Sequence, residues 1–129
     1  MANLKSTIVD GAIIHDEGTV AWNETTLTMD LSTGTSFEID MVNFSNHINV
    51  FDVQNATGTV YYKSFLLQIT QHTGSLNFTW SAIDNVKWPG GAAGRPTLTT
   101  TNDKKDIYSF TSWDNGSTWY GKVIGQNFS

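Results

Sequence analysis

The chain contains no cysteine. That absence excludes disulfides, thiolate metal sites and cysteine nucleophiles. Proline is almost missing too, since the only two, Pro89 and Pro96, fall in one stretch. Charge is scarce. Asp, Glu, Lys and Arg make up 15% of the residues, against about 25% in a typical soluble domain. The seven basic residues, Lys5, Lys63, Lys87, Arg95, Lys104, Lys105 and Lys122, are scattered, and the formal net charge is -5. Without a basic stripe there is no counterion release to drive binding to polyphosphate, so nucleic acid is not an expected partner. No apolar run approaches the roughly 18 residues of a membrane helix. Met1 to Asp10 lacks the apolar stretch of a signal peptide. Neither membrane insertion nor export by a standard signal is expected. Helical periodicity is absent as well: no window of ten or more residues holds apolar positions at helical spacing without Gly or β-branched interruption.

What is present is period-2 alternation. Leu27, Met29 and Leu31 alternate with Thr28 and Asp30. Phe37, Ile39 and Met41 alternate with Glu38 and Asp40, Phe65, Leu67 and Ile69 with Gln68 and Thr70, and Leu76, Phe78 and Trp80 with Asn77 and Thr79. Each set turns one face inward and the other outward. The pattern predicts strands over 4–14, 19–23, 26–32, 36–43, 47–54, 60–71, 75–81, 106–113 and 117–124. Their spacing predicts an all-β fold, an antiparallel β-sandwich of jelly-roll type. The inward set comprises Leu27, Met29, Leu31, Phe37, Ile39, Met41, Phe65, Leu67, Ile69, Leu76, Phe78, Val123 and one of Ile107 and Phe110. A length of 129 residues suits one domain. Residues 1–20 read as an extended N-terminal arm and 21–129 as the sandwich. Asp114-Asn115-Gly116-Ser117 separates two strand-like runs and carries the Asn-Gly dipeptide of a tight hairpin. Residues 87–101, holding both prolines and three glycines, read as a long loop.

Chemistry is sparse. His15, His47 and His72 match no metal-ligand spacing, and no Gly-x-Ser-x-Gly elbow exposes a nucleophile. Gly90 to Arg95 lacks the Gly-Lys-Ser/Thr ending of a phosphate loop. Asp16-Glu17, Glu38/Asp40 and Asp103/Asp106 are the available carboxylate pairs, and Glu38 and Asp40 read as the solvated face of a half-buried strand. Asp114 begins a turn rather than a calcium loop, because oxygen ligands at alternate positions are missing. No catalytic residue, metal or cofactor is therefore expected, and the chain reads as no enzyme. The six Asn-x-Ser/Thr triplets are explained by the abundance of Asn and Thr.

The ending carries a resemblance. Val86-Lys87-Trp88, Pro96-Thr97-Leu98-Thr99, Asp106-Ile107-Tyr108-Ser109-Phe110, Trp119-Tyr120-Gly121 and Gly125-Gln126-Asn127-Phe128 follow one another as in a C-terminal domain of tailed-bacteriophage virion proteins. Asp30-Leu31 to Gly34 and Phe37-Glu38-Ile39 resemble that domain's opening strands. The resemblance spans residues 26 to 129 and brings no catalytic residues. In long fibres such a domain is the tip of a larger chain, whereas here it begins within about 25 residues of Met1. The resemblance therefore implies a virion location and a capsid decoration, or cement, protein on the outer shell, with tail-fibre or receptor-binding recognition of host glycans as the alternative. Implied partners are the major capsid protein and further copies of the chain, as a homotrimer. The residues expected at capsid or subunit contacts are Leu4, Ile8, Val9, Ile13 and Ile14 of the arm, with Trp88, Trp113, Trp119 and Tyr120. Decoration expects the three tryptophans in core or interface, and glycan recognition expects at least two of them exposed.

Overall fold

The computed structural model describes residues 6–9, 12–15, 17–23, 26–43, 50–56, 58, 61–72 and 86–129. Among them the chain is β-rich, with no α-helix. The strands are β1 (Ser6–Val9), β2 (Ala12–His15), β3 (Val20–Asn23), β4 (Thr26–Asp30), β5 (Ser36–Asp40), β6 (Val50–Gln54), β7 (Lys63–Thr70), β8 (Val86–Lys87), β9 (Lys105–Ser112) and β10 (Trp119–Phe128). Among the described residues, 3-10 turns at Met41–Asn43 and Gly91–Gly94 accompany them. The strand expected at 75–81, with Leu76 and Phe78, lies outside the described residues.

Alternation sets the faces. β4 buries Leu27 and Met29, β5 buries Phe37 and Ile39, and β7 buries Phe65, Leu67 and Ile69. Met41 is buried too, while Leu31 and Val123 are half-buried at the margin of the core. β9 turns Asp106, Tyr108, Phe110 and Ser112 inward, so of Ile107 and Phe110 it is Phe110 that enters the core. Carboxylates stop two strands earlier than alternation alone predicts. Asp30 Oδ1 accepts from the Ser32 amide (2.8 Å) and hydroxyl (2.6 Å), ending β4 in a turn. Asp40 Oδ1 accepts from the Val42 amide at 3.0 Å, and the backbone leaves the strand for a 3-10 turn at Met41. Such side-chain acceptors offer the backbone an alternative to the ladder.

β5-β7-β9-β10-β8 form one sheet, β3-β4-β6 a second, and β1-β2 a third. The pairs β5/β7, β4/β6 and β8/β10 are parallel, which corrects the purely antiparallel expectation to a mixed topology. For β4/β6 and β5/β7 the reason lies in the route of the chain. β4, β5, β6 and β7 alternate between the second and first sheets. A strand that leaves for the other sheet and returns re-enters in its original sense, so it pairs in parallel. The stretch 87–101 is also more than a loop, since it completes β8 and inserts Trp88 and Leu98 into the core.

The single extended strand expected at 4–14 is instead a hairpin. Ser6 pairs with His15 and Val9 with Ala12, leaving Asp10-Gly11 between them in the chain. Asp-Gly is a strong tight-turn dipeptide, and its signal was legible in the sequence. This hairpin is a two-stranded sheet of its own.

One apolar cluster joins the two larger sheets. Leu27 and Met29 of β4 share it with Phe37 and Ile39 of β5, Leu67 and Ile69 of β7 and Tyr108 of β9. An aromatic chain runs through it: Phe65 stacks on Phe110 at 4.9 Å and meets Phe37 edge-on at 5.8 Å and Trp119 at 5.0 Å, while Trp88 meets Phe110 edge-on at 5.8 Å. Each such side chain contributes about 1.5–3 kcal/mol by leaving water. Trp88 reaches the cluster because Gly121 opposite it has no side chain: a Cβ there would lie 2.7 Å from the indole ring.

Candidate functional site

Two polar assemblies stand out, one buried and one exposed. The buried one centres on Asp106, 2% exposed on the inward face of β9. Its carboxylate accepts from the Thr99 amide (2.7 Å), the Thr99 hydroxyl (2.6 Å), the Tyr108 hydroxyl (3.0 Å), Gln126 Nε2 (3.1 Å) and the Asn127 amide (3.0 Å). Gln126 Nε2 also donates to the Thr97 carbonyl (2.7 Å) and to the Tyr108 hydroxyl oxygen (3.0 Å). Burial pushes the Asp106 carboxyl upward, but the bonds from Thr99, Asn127 and Gln126 outweigh it and hold the group below its ordinary value. Burial, the neighbouring Asp106 charge and the bond donated to it push the Tyr108 hydroxyl up, so it stays a donor. The assembly clasps the 97–99 segment, β9 and the end of β10. Every carboxylate contact is a donor of the chain itself, so it builds structure and offers no free base or ligand.

The exposed assembly lies on the outer face of the five-stranded sheet. Inward residues of β7 and β9 leave Ser64, Leu66 and Gln68 and Ile107, Ser109 and Thr111 on the opposite face. Register aligns them in rows: Ser36, Leu66, Ser109 and Lys122 in one, Ser64, Thr111, Tyr120 and Lys87 in the next, Glu38, Gln68 and Ile107 in a third. Gln68 Nε2 donates to Glu38 Oε1 across β5 and β7. At the end of the sheet Tyr62, just before β7, meets Trp113, just after β9, with ring centroids 4.6 Å apart and planes tilted by 59°. Tyr62 is 47% exposed, Trp113 68% and Tyr120 53%. Beside Tyr62 runs an open groove of about 530 Å³, lined by Thr35, Ser36, Tyr62, Ser64, Phe65, Leu66, Ser109 and Thr111.

The hairpin loop before β10 holds Trp113 in place. Asp114 Oδ1 accepts from the Thr118 amide (2.8 Å) and the Ser112 hydroxyl (2.9 Å), and Ser112 Oγ accepts from the Gly116 amide (2.8 Å). The bonds from Thr118 and Ser112 hold the exposed Asp114 carboxyl below its ordinary value. Asn115 (φ 61) and Gly116 (φ 85) take the left-handed conformations of a tight turn. The Asn115 amide donates to the Tyr61 carbonyl at 3.0 Å, and Asn115 Oδ1 accepts from the Gly58 amide at 3.0 Å. The loop is thereby tied to the segment that carries Tyr62.

The residues expected at contacts are divided by the fold. Trp113 and Tyr120 lie on this outer face. Trp88 (6% exposed) and Trp119 (3% exposed) are taken up by the chain's own core, so neither offers a surface. Ile8, Val9, Ile13 and Ile14 lie in the β1–β2 hairpin, with Ile8 paired to Ile13, and Leu4 lies outside the described residues. Sequence reasoning passed over Tyr62, whose signal was a tyrosine in phase with the outward residues of β7. It also passed over Asp106 as a hub, although an Asp in phase with Tyr108 and Phe110 was visible. Glu38 and Asp40 are exposed on β5. Asp103 is exposed and Asp106 buried, so they face no common cleft. Among the described residues no group of three or more His, Asp and Glu is gathered, and no helix is long and apolar enough to cross a membrane. The chain matches no protein-family model, no curated protein and no solved structure.

Proposed function

We propose that this chain is a non-enzymatic structural protein of a tailed-phage virion, a capsid decoration protein folded as a β-sandwich of jelly-roll type. The β1–β2 hairpin is its attachment element, and the outer sheet face is the surface it presents. One observation carries the reading beyond the resemblance of the C-terminal segment: among the described residues, β1 and β2 pair with each other as a two-stranded sheet apart from the two larger ones. An isolated two-stranded hairpin is marginally stable in water, and docking on the shell or on a neighbouring copy gives it the missing support. Two of the three tryptophans that separated the readings, Trp88 and Trp119, are core residues, which favours decoration over a tryptophan-built glycan platform at a fibre tip. On the shell the chain assembles with further copies as a homotrimer in contact with the major capsid protein.

The test is deletion of residues 2–15. Thermal unfolding of the truncated protein is expected to stay cooperative, because the described core is built chiefly from β4, β5, β7, β9 and β10 with Trp88 and Leu98. Occupancy on purified capsids is expected to fall. Occupancy equal to that of the full chain, with an intact fold, would overturn the assignment of the hairpin as the tether. A hydrolase activity of the purified protein on a polysaccharide would overturn the non-enzymatic reading.

A further inference from the structure

We propose that the groove on the outer face of the five-stranded sheet is a binding site for a neutral saccharide, with Tyr62 and Trp113 as its stacking platform. The inference rests on the preceding reading only in placing this face outward on a virion; the binding itself belongs to the isolated chain.

Four features converge. First, two rings that could be buried are not. Trp113 is 68% exposed and Tyr62 47%, yet they are held against each other at 4.6 Å. The loop that carries Trp113 is anchored by Asp114 and Asn115, so the exposed ring pair stands on fixed backbone. An aromatic face with a polar edge suits a pyranose, whose C–H face is apolar and whose rim is hydroxylated. Second, the groove beside this pair presents the hydroxyl-bearing residues Ser36, Ser64, Ser109 and Thr111. A hydroxyl both donates and accepts, as a sugar hydroxyl does, so the two surfaces match without a charged group.

Third, none of the eight lining residues carries a charge. A phosphate or a carboxylate-bearing sugar finds no counter-charge in the groove, and the match is to a neutral ring. Fourth, the groove is built on strands. Ser36 pairs with Leu66 and Leu66 with Ser109, while Ser64 pairs with Thr111. Positions set by a ladder are pre-organised, which limits the ordering cost of binding. The volume of about 530 Å³ falls within the roughly 300–1,000 Å³ of small-molecule sites, and the open side lets a longer glycan continue beyond it. A protein partner is the less fitting occupant of the groove, because Leu66 is its one aliphatic residue.

The experiment screens the purified full chain against neutral, sialylated and sulfated oligosaccharides on an array. Hits are then titrated in solution by tryptophan fluorescence and saturation-transfer NMR. Neutral oligosaccharides are expected to bind, with transfer to ring C–H protons. Trp113→Ala and Tyr62→Ala are each expected to weaken binding at least tenfold. Thermal unfolding of both variants should match the parent, and Trp113→Phe should recover part of the affinity. Absence of binding to any neutral oligosaccharide overturns the proposal, as does a preference for the acidic ones or an affinity unchanged in both variants. A fall in oligomeric mass or in capsid occupancy of Trp113→Ala, without saccharide binding by the parent, assigns the face to protein contact and overturns it too. The hairpin deletion keeps the two readings apart: it should lose capsid occupancy and retain saccharide binding.

Discussion

Replacing Asp106 by Asn keeps the shape of the side chain and removes its charge, and the geometry decides what that costs. One Asp106 oxygen accepts from the Thr99 hydroxyl and the Asn127 amide, the other from the Thr99 amide, Tyr108 and Gln126. The new amide nitrogen fits best in the first position, where the Thr99 hydroxyl can turn round and accept from it. The Asn127 amide cannot turn round, so one donor faces another. An unsatisfied buried donor costs about 1–3 kcal/mol, and the remaining bonds lose their charge assistance, for a total of about 2–4 kcal/mol. With an unfolding entropy of about 2.1 cal/mol/K per residue, the 129-residue chain should lose about 7–15 °C in Tm. The effect is also pH-dependent. The native Asp106 carboxyl lies below its ordinary value, so on the way down in pH the unfolded chain takes up the proton first. Stability from this group is complete above an unfolded pKa of about 3.9 and is lost as pH falls through the lower native one. Asn does not titrate. The gap between parent and Asp106→Asn should therefore be full at pH 7 and narrow toward pH 3. Asp30 and Asp114, also held below their ordinary values by hydrogen bonds from Ser32 and Asn55 and from Thr118 and Ser112, remain in both proteins and cancel. Urea titrations followed by tryptophan fluorescence at the two pH values measure this. A gap below about 0.5 kcal/mol at pH 7, the range of an ordinary surface substitution, would refute the clasp. So would a gap that stays constant down to pH 3.

Two further substitutions test the close approaches that position the core and the groove. Gly121→Ala places a methyl 2.7 Å from the Trp88 ring, and such overpacking should cost about 1–3 kcal/mol. Urea midpoints should fall and the near-UV circular dichroism of the tryptophans should change, because the indole must move. Gly116→Ala puts a side chain at φ 85 and 2.5 Å from the Ala56 Cβ, with an expected loss of about 1–3 kcal/mol from backbone strain. Its Tm should drop, and any neutral-saccharide affinity should drop with it, since the loop carrying Trp113 shifts.

Composition and alternation were enough to establish a β-rich chain and most of its core. Phe37, Ile39, Phe65, Leu67 and Ile69 could be read inward because each strand sets apolar against polar residues at period two, and pleating puts the two sets on opposite faces. The closing hairpin was legible in Asn115-Gly116, since a tight turn needs two residues that tolerate positive φ. β9 was ambiguous for the same reason that β7 was clear: Ile107 on one face and Tyr108 and Phe110 on the other are all apolar. There the stack of Phe110 on Phe65 and the donors around Asp106 decided the face. Alternation assigns a face and no neighbour, so parallel pairing could not be read from it; that followed from a chain that alternates between sheets. The tryptophans show the same division. Trp119 entered the core beside Phe65, Trp88 entered it over Gly121, and Trp113 stayed outside one position beyond inward Ser112. Local pattern supplied the strand phases. Only tertiary structure brought Tyr62 and Trp113 together from distant points of the chain and opened a hydroxyl-lined groove beside them, because that contact depends on which strands lie side by side and in what register.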